Sequence, residues 1–377
     1  MVRSLLAILL LLSGQVRAHG GPPVTHEILF GSGHLDLVTT HGFFSDDTGW
    51  MWICEEASGA DLAASALRTP KRWLVGTLDG LIYSENGCDW RSDPALEGTY
   101  IYALVQDVHN PDLTWAATQD ALWKIDGLKE SVLETPVDFS LRHLAQRNDG
   151  TFLFVGFDGP TPIARIGDNQ VELPVQTGRL DILTFDDQGR FYLHAPAGKT
   201  DRLIRVSEDG AEVLIEDSDL IRDVTAIGDD LYALMDSGIS WSFDDGASWT
   251  LPTGEPIRCL VQEDGEFYAC PSQGGGPAIF VTSELDPDPI NWTWNVALRF
   301  NDVTPNTCEP GTTAGNQCPY LWRLAGVELG VLEPADDEPS DTDSAGCMSA
   351  GDKTPLSLTV ALFALWLGRR KRLRTTH

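Results

Sequence analysis

Between residues 34 and 282 short apolar runs alternate with polar turns, and the plan recurs seven times. The repeats run His34–Trp52, Arg72–Trp90, Tyr100–Ile125, Arg142–Ile166, Leu180–Val206, Asp223–Trp249 and Ile257–Thr282, with starts 28 to 43 residues apart. Each opens on an apolar strand, turns, returns in a second strand that ends near Gly, and adds a third strand. The alternation is visible in Thr151-Phe152-Leu153-Phe154-Val155 and in Leu231-Tyr232-Ala233-Leu234. The turns are hairpin signals: Asn148-Asp149-Gly150, Asp187-Gln188-Gly189, Gly228-Asp229-Asp230 and Asp264-Gly265-Glu266. One such unit cannot bury both faces of its sheet, whereas a closed ring of them can. The pattern predicts an all-β propeller with seven blades. Six blades result if the first repeat is partial, and a β-sandwich is the alternative architecture.

Leu231–Thr250 is the most regular repeat, and its last turn is the most informative stretch. Ser242-Phe243-Asp244-Asp245-Gly246-Ala247-Ser248-Trp249 resembles the Asp-box (BNR) hairpin S-x-D-x-G-x-x-W at every fixed position. Asp244 suits a turn because a short carboxylate bonds its own backbone. Gly246 suits positive φ, Trp249 can pack back over the hairpin, and Ser242 can tie the loop ends. Ser84-Glu85-Asn86-Gly87-Cys88-Asp89-Trp90 is one residue shorter, with Asn86 in place of the Asp; Ser45-Asp46-Asp47-Thr48-Gly49-Trp50 is shorter still. With the blade plan over residues 27–300, the chain resembles sialidase-like and photosystem-assembly-factor-like propellers.

The ends follow different rules. Met1–Ala18 has a charged start at Arg3, an apolar core at Leu5–Leu12 and small or tolerated residues at the −3 and −1 positions, Val16 and Ala18, and so resembles a secretory signal peptide. Residues 27–330 are expected to form the propeller, with the Gly/Thr/Cys-rich Asn306–Trp322 as a loop that caps or closes the ring. No long amphipathic helical pattern is visible. Residues 331–346 read as an acidic, disordered stalk. Residues 347–377 carry the apolar run Leu356–Leu367 and the basic cluster Arg369-Arg370-Lys371-Arg372. About a dozen apolar residues are fewer than the ~20 an ordinary spanning helix needs. Gly346-Cys347, an apolar run and an Arg-rich end resemble the C-terminal myxobacterial sorting domain (MYXO-CTERM). That resemblance implies a processing protease cutting near Cys347, membrane association through the tail before processing, and display at the cell surface. A plain tail anchor with its basic end in the cytoplasm is the other reading.

The chain of 377 residues has a formal charge of −30. Eight of its 26 basic residues and one of its 56 acidic residues lie in the two end segments, so the part between carries −37. Such a surface repels nucleic acid and anionic membrane within a Debye length, ~8–10 Å at ordinary salt. Of the seven Cys, Cys347 belongs to the tail, which leaves an even six in an exported body. Nearness in sequence favours Cys54–Cys88, Cys259–Cys270 and Cys308–Cys318. Cys259 and Cys270 flank the Asp264-Gly265 turn on facing strands, and Cys54–Cys88 would staple neighbouring blades. No C-x-x-C or H-x₃₋₅-H spacing points to zinc.

Candidate chemistry is sparse. Arg142, Arg222 and Arg258 open three repeats near their first strands, where side chains approach a propeller axis, and they form the one candidate arginine triad for a substrate carboxylate. The F/Y-R-I-P motif of sialidases is missing. His34 and His41 share the first hairpin. Trp241, Trp249, Trp292 and Trp294 can serve as a carbohydrate platform or as packing between blades. No catalytic residue, metal site or cofactor is assigned. The expectation is an exported, surface-anchored propeller that binds or scaffolds a protein or glycan at the cell envelope. The alternatives are a degenerate sialidase-like glycosidase and a purely structural surface protein.

Overall fold

The alternating runs pair into seven sheets of three to five strands, one per blade, antiparallel except at the outer edge of the first. The computed structural model describes residues 22–333 apart from 32, 47–48, 60–62, 128–130, 176–179, 187, 228–229, 273, 275 and 287. The expected signal peptide, nearly all of the stalk, and the sorting tail with Gly346 and Cys347 therefore lie outside the described residues, as do Asp47, Asp187 and Asp229 of the turns. Among the described residues no helix is long and apolar enough to cross a membrane.

Within each blade the strands follow one another outward in chain order. The innermost strands are Thr25–Gly31, Ala63–Arg68, Ala103–Gln106, Ser140–Gln146, Asp181–Phe185, Ile221–Ile227 and Ile257–Glu263. Each touches the next, and the last touches the first, so the ring closes around a central channel. The molecule is a seven-bladed propeller. Blade 1 is a complete sheet rather than a partial one, which removes the six-bladed alternative, and the closed ring removes the sandwich. The core lies between blades. Leu153 and Val155 of blade 4 pack on Phe191, Leu193 and Ile204 of blade 5, and Tyr192 and Leu203 of blade 5 pack on Val224 and Leu231 of blade 6. Each sheet thus buries both faces against its neighbours, which is why its strands read as near-continuous apolar runs.

The repeats were displaced from the blades at their edges. The first two repeats open on the second strand of their blades, and most fourth strands fall outside the repeats. Innermost strand Ala63–Arg68, AASALR, is built of small residues. Outer strands such as Asn169–Glu172, NQVE, in which only Val171 is buried, carry little apolar signal.

The C-terminal segment departs most from expectation. Thr304–Pro305 pairs in parallel with Met51–Ile53, so the chain's late residues form the outer edge of blade 1. Thr313–Glu328 then forms an α-helix, where a loop was expected. Its start is capped by Thr312, whose side chain accepts from the Gly315 N–H at 3.1 Å. Its buried positions include Ala314, Cys318 and Ala325, small residues one face apart that carry no obvious apolar stripe.

Disulfides fasten this segment to the ring. Cys259 bonds Cys270, directly opposite it on the facing strand. The other two bonds are Cys54–Cys318 and Cys88–Cys308. They replace the expected Cys54–Cys88 and Cys308–Cys318 pairs. Nearness in sequence misleads here because the partners meet through ring closure: blades 1 and 2 are each stapled to the returning C-terminal segment instead of to one another. His41 adds a polar clamp, its Nε2 lying 2.9 Å from Glu328 of the helix, and Trp52 packs on Trp322 at 5.4 Å.

Candidate functional site: the central channel

Six of the seven innermost strands carry a β-bulge near their start, with the extra residue at His26, Ala64, Arg142, Leu183, Arg222 and Arg258. A bulge breaks the in–out alternation and re-aims side chains, so two consecutive residues can face the same way. That is the result here. All six bulge residues line channel cavities, and His26 with Glu27, Arg142 with His143, Arg222 with Asp223 and Arg258 with Cys259 do so as neighbours in sequence. The seventh strand, Ala103–Gln106, contributes Tyr100 and Tyr102 from just before its first residue.

Two cavities result, both bordered by Ala63 and Ala64. The larger, about 760 Å³, is lined by parts of blades 1, 2, 5, 6 and 7. It holds His26, Glu27, Asp223 and Arg258. Glu27 is open to the channel space, and the desolvating channel walls push its carboxyl up to about 7. Asp223 is likewise pushed up to about 7 by burial, with the charge of Glu27 adding to the effect and backbone N–H groups of Val224 and Leu260 opposing it. Burial and the nearby Arg258 guanidinium lower the pKa of His26. The smaller cavity, about 660 Å³, is lined by Tyr100, Tyr102, Arg142, His143, Phe157, Leu180 and Asp181. A chain of polar groups runs from it into blade 5: His143 Nε2 lies 3.0 Å from Asp181, His194 Nδ1 lies 3.7 Å from Asp181, and His194 Nε2 lies 3.0 Å from Asp201. Burial works against a charged His194, but its hydrogen bonds to Asp181 and Asp201 prevail and raise its pKa.

The three arginines do reach the channel but do not assemble into a triad. Arg142 stands in the smaller cavity, while Arg222 and Arg258 stand in the larger. Arg222 is also neutralised by Asp236, with Nε–Oδ1 at 2.6 Å. His34 and His41 are engaged by Asp46 at 3.4 Å and by Glu328, and among the described residues no cluster of His, Cys, Asp or Glu is arranged to hold a metal ion. The tryptophans are packing. Trp292 contacts Tyr232 at 5.4 Å and Trp294 at 5.7 Å, Trp294 stacks on Phe280, and Trp241 is buried.

The two turns singled out by sequence are structural and lie away from the channel linings. Ser242 Oγ donates to Asp244 at 2.8 Å and accepts from the Gly246 N–H; Asp244 accepts from Ser248 N–H at 2.8 Å; Trp249 Nε1 donates to the Gly246 carbonyl at 3.1 Å. Ser84–Trp90 repeats the wiring with an amide. Asn86 Oδ1 accepts from the N–H groups of Cys88 and Asp89 at 2.9 Å, and Trp90 Nε1 donates to the Gly87 carbonyl at 2.8 Å. Asp245 has a separate task that its place in the turn did not announce. At φ 59° it reaches back to blade 5, where Arg190 meets it at 2.7 Å and Arg205 at 2.9 Å.

No protein-family model matches the sequence, and no curated protein matches it. Among solved structures, the chain is similar to the extracellular domain of the one component system BT4673 from B. thetaiotaomicron, with TM-score 0.53 and 12% identity, over 69% of this chain and 38% of that one. It is similar to the extracellular domain described as the hybrid two component system BT4673 of the same organism, with TM-score 0.52 and 12% identity, over 70% and 38%. The chain thus spans about two fifths of the length of these two structures. What it shares with them is the fold: a β-propeller.

Proposed function

We propose that the chain is an exported propeller that binds or scaffolds a protein or glycan at the cell envelope, with its ligand held at the bulge-lined end of the central channel. The observation that carries this is the bulge ring: six irregularities at equivalent ends of innermost strands turn extra side chains into cavities of about 660 and 760 Å³, and bulges of this kind are over-represented beside functional sites. Three disulfides support export, since such bonds persist in oxidising compartments. Surface attachment through residues 347–377, with a processing protease acting near Cys347, belongs to the same proposal.

The test uses the full chain purified under oxidising conditions, with Ala64→Trp as a plug because Ala64 borders both cavities. Glycan-array binding and pull-downs from envelope fractions are compared between wild type and plug. Loss of the captured partner in the plugged variant supports the channel as the site; undiminished capture removes it. The glycosidase reading rests on one observation, the pair Glu27 and Asp223 with pKa values raised to about 7, as acid–base groups require. Turnover of fluorogenic glycosides that vanishes in Glu27→Gln would replace the binding reading with it.

A further inference from the structure

The smaller cavity has chemistry that narrows the ligand. Arg142 projects into it from a bulge, and its guanidinium lies 4.5 Å over the Tyr102 ring while Nη1 donates to the Tyr102 hydroxyl. No carboxylate of the described residues comes within ion-pair distance of Arg142. Arg147, Arg165, Arg190, Arg202, Arg205 and Arg222 each have such a partner. In a chain with 56 acidic and 26 basic residues, a channel arginine with no carboxylate of the described residues at ion-pair distance has its charge to offer to an anion. Asp181, the acidic group of the cavity, is already shared between His143 and His194. Tyr100 and Tyr102 pack together with ring centroids 4.1 Å apart and present a half-exposed aromatic wall. Phe157 and Leu180 supply apolar surface, and His143 and the tyrosine hydroxyls supply hydrogen-bonding groups around it.

We propose that this cavity is a subsite for one anionic sugar ring of a glycan, with the acidic group on Arg142 and the apolar face of the ring on the Tyr100–Tyr102 wall. The proposal rests on the reading of the channel as a binding site and deepens it. A planar guanidinium suits a carboxylate or a sulfate, because both offer two oxygens to its fork. The aromatic wall suits the C–H face of a pyranose, and the surrounding donors and acceptors suit its hydroxyls. A uronate and a sulfated sugar share this chemistry.

The test measures binding of the full chain, by calorimetry, to two matched pairs: polygalacturonate against its methyl-esterified form, and dextran sulfate against dextran. One acidic member is expected to bind roughly tenfold or more tightly than its neutral counterpart, the size of one charge-assisted contact. Which pair shows the preference identifies carboxylate or sulfate. Arg142→Gln should abolish the preference, Arg142→Lys should retain part of it, and Arg202→Gln, whose arginine pairs with Glu216 away from the cavity, should leave it intact. Thermal unfolding of each variant checks the fold, and Tyr100→Ala gives a second route if Arg142→Gln does not fold. Equal binding of acidic and neutral glycans that Ala64→Trp blocks overturns the anionic subsite while leaving the channel reading standing. Binding of acidic glycan untouched by Ala64→Trp overturns both. Failure of all four glycans overturns the subsite, and the channel reading is then judged by the envelope pull-down alone.

Discussion

At the scale of single residues, the fold depends on a few groups that sequence pattern does not mark. Asp36 is fully buried between blades 1 and 2, where it accepts from Trp73 Nε1 at 3.0 Å and faces Arg68 Nε at 3.6 Å. The Arg68 guanidinium lies 3.2 Å over the same Trp73 ring. Removing the carboxylate takes a counter-charge away from the buried Arg68 guanidinium and a hydrogen-bond acceptor away from Trp73, so Asp36→Ala should lower unfolding free energy by about 3–5 kcal/mol. Asp36→Leu combined with Arg68→Met should recover much of that loss in the same denaturant titration, because an apolar pair leaves no charge stranded. Turn glycines are a second case. Gly246 has φ 82°, and a Cβ there would sit 3.1 Å from the Leu214 side chain. Gly246→Ala should cost about 1–2 kcal/mol from the left-handed backbone alone, read as a lower urea midpoint with unchanged slope. An unshifted midpoint would mean that the turn relaxes to negative φ. That glycine was legible because a motif names it. Arg142, Arg222 and Arg258 were legible as channel candidates because they open repeats. Their separation into different cavities was not, since it depends on bulges that pairing alone creates.

Elements show a different balance. Middle strands were plain in the sequence because both faces are buried and their apolar runs are unbroken, as in the LYALM of Asp230–Met235. Edges were not, because a half-solvated strand has no run to find. The helix Thr313–Glu328 was hidden for a related reason: its buried face is Ala, Cys and Gly, which give close approach without an apolar stripe. The pairing of Cys54 and Cys88 was likewise beyond reach until the C-terminal segment was seen to return to blade 1. These staples act on the element that closes the ring. Cys54–Cys318 spans 264 residues, whereas Cys259–Cys270 spans 11. With Cys88–Cys308 in place the long bond closes only the stretches 54–88 and 308–318, and in the chain-entropy account it restricts the unfolded state by about 4 kcal/mol, against about 3 kcal/mol for the short one. The double variant Cys54→Ser/Cys318→Ser should therefore lose more stability than Cys259→Ser/Cys270→Ser under non-reducing conditions. The reverse order would assign ring closure to the Thr304–Pro305 strand and to helix packing rather than to the staple.

For the whole molecule, acidity and the raised channel carboxylates act in the same direction on the dependence of stability on pH, while His26, whose pKa burial and Arg258 lower, works against them below its ordinary value of about 6.5. Glu27 and Asp223 have folded-state pKa values raised to about 7, and that of His194 is also raised. A group whose pKa is higher in the folded state binds protons more strongly there, so its contribution is complete at low pH and is lost as pH rises through the folded value. For the two carboxylates the loss runs from about 4 to about 7, and for His194 it begins near its ordinary value of about 6.5. Other carboxylates work in the opposite sense. Hydrogen bonds from Ser248 and Ser242 hold Asp244 below the usual range, Arg190 does so for Asp245, and Arg202 does so for Glu216. Their contribution is present above the ordinary carboxylate range and is lost as pH falls through their depressed values. Self-repulsion of a chain with net charge −30 also grows as the remaining carboxylates ionise. Thermal midpoints measured from pH 3 to pH 9 should therefore peak on the acidic side, at about pH 4.5–6, and decline toward pH 8. Glu27→Gln with Asp223→Asn should flatten the decline between about pH 5 and pH 8, and His194→Gln should remove a further part above about pH 6.5. In 0.5 M salt, where screening shortens to a few ångströms, roughly 4 Å, the self-repulsion component should disappear while the decline due to desolvation of Glu27 and Asp223 in the channel persists. A midpoint that climbs steadily from pH 5 to pH 8 would mean that the channel carboxylates are ionised at no cost, and with it the glycosidase reading would lose its raised acid.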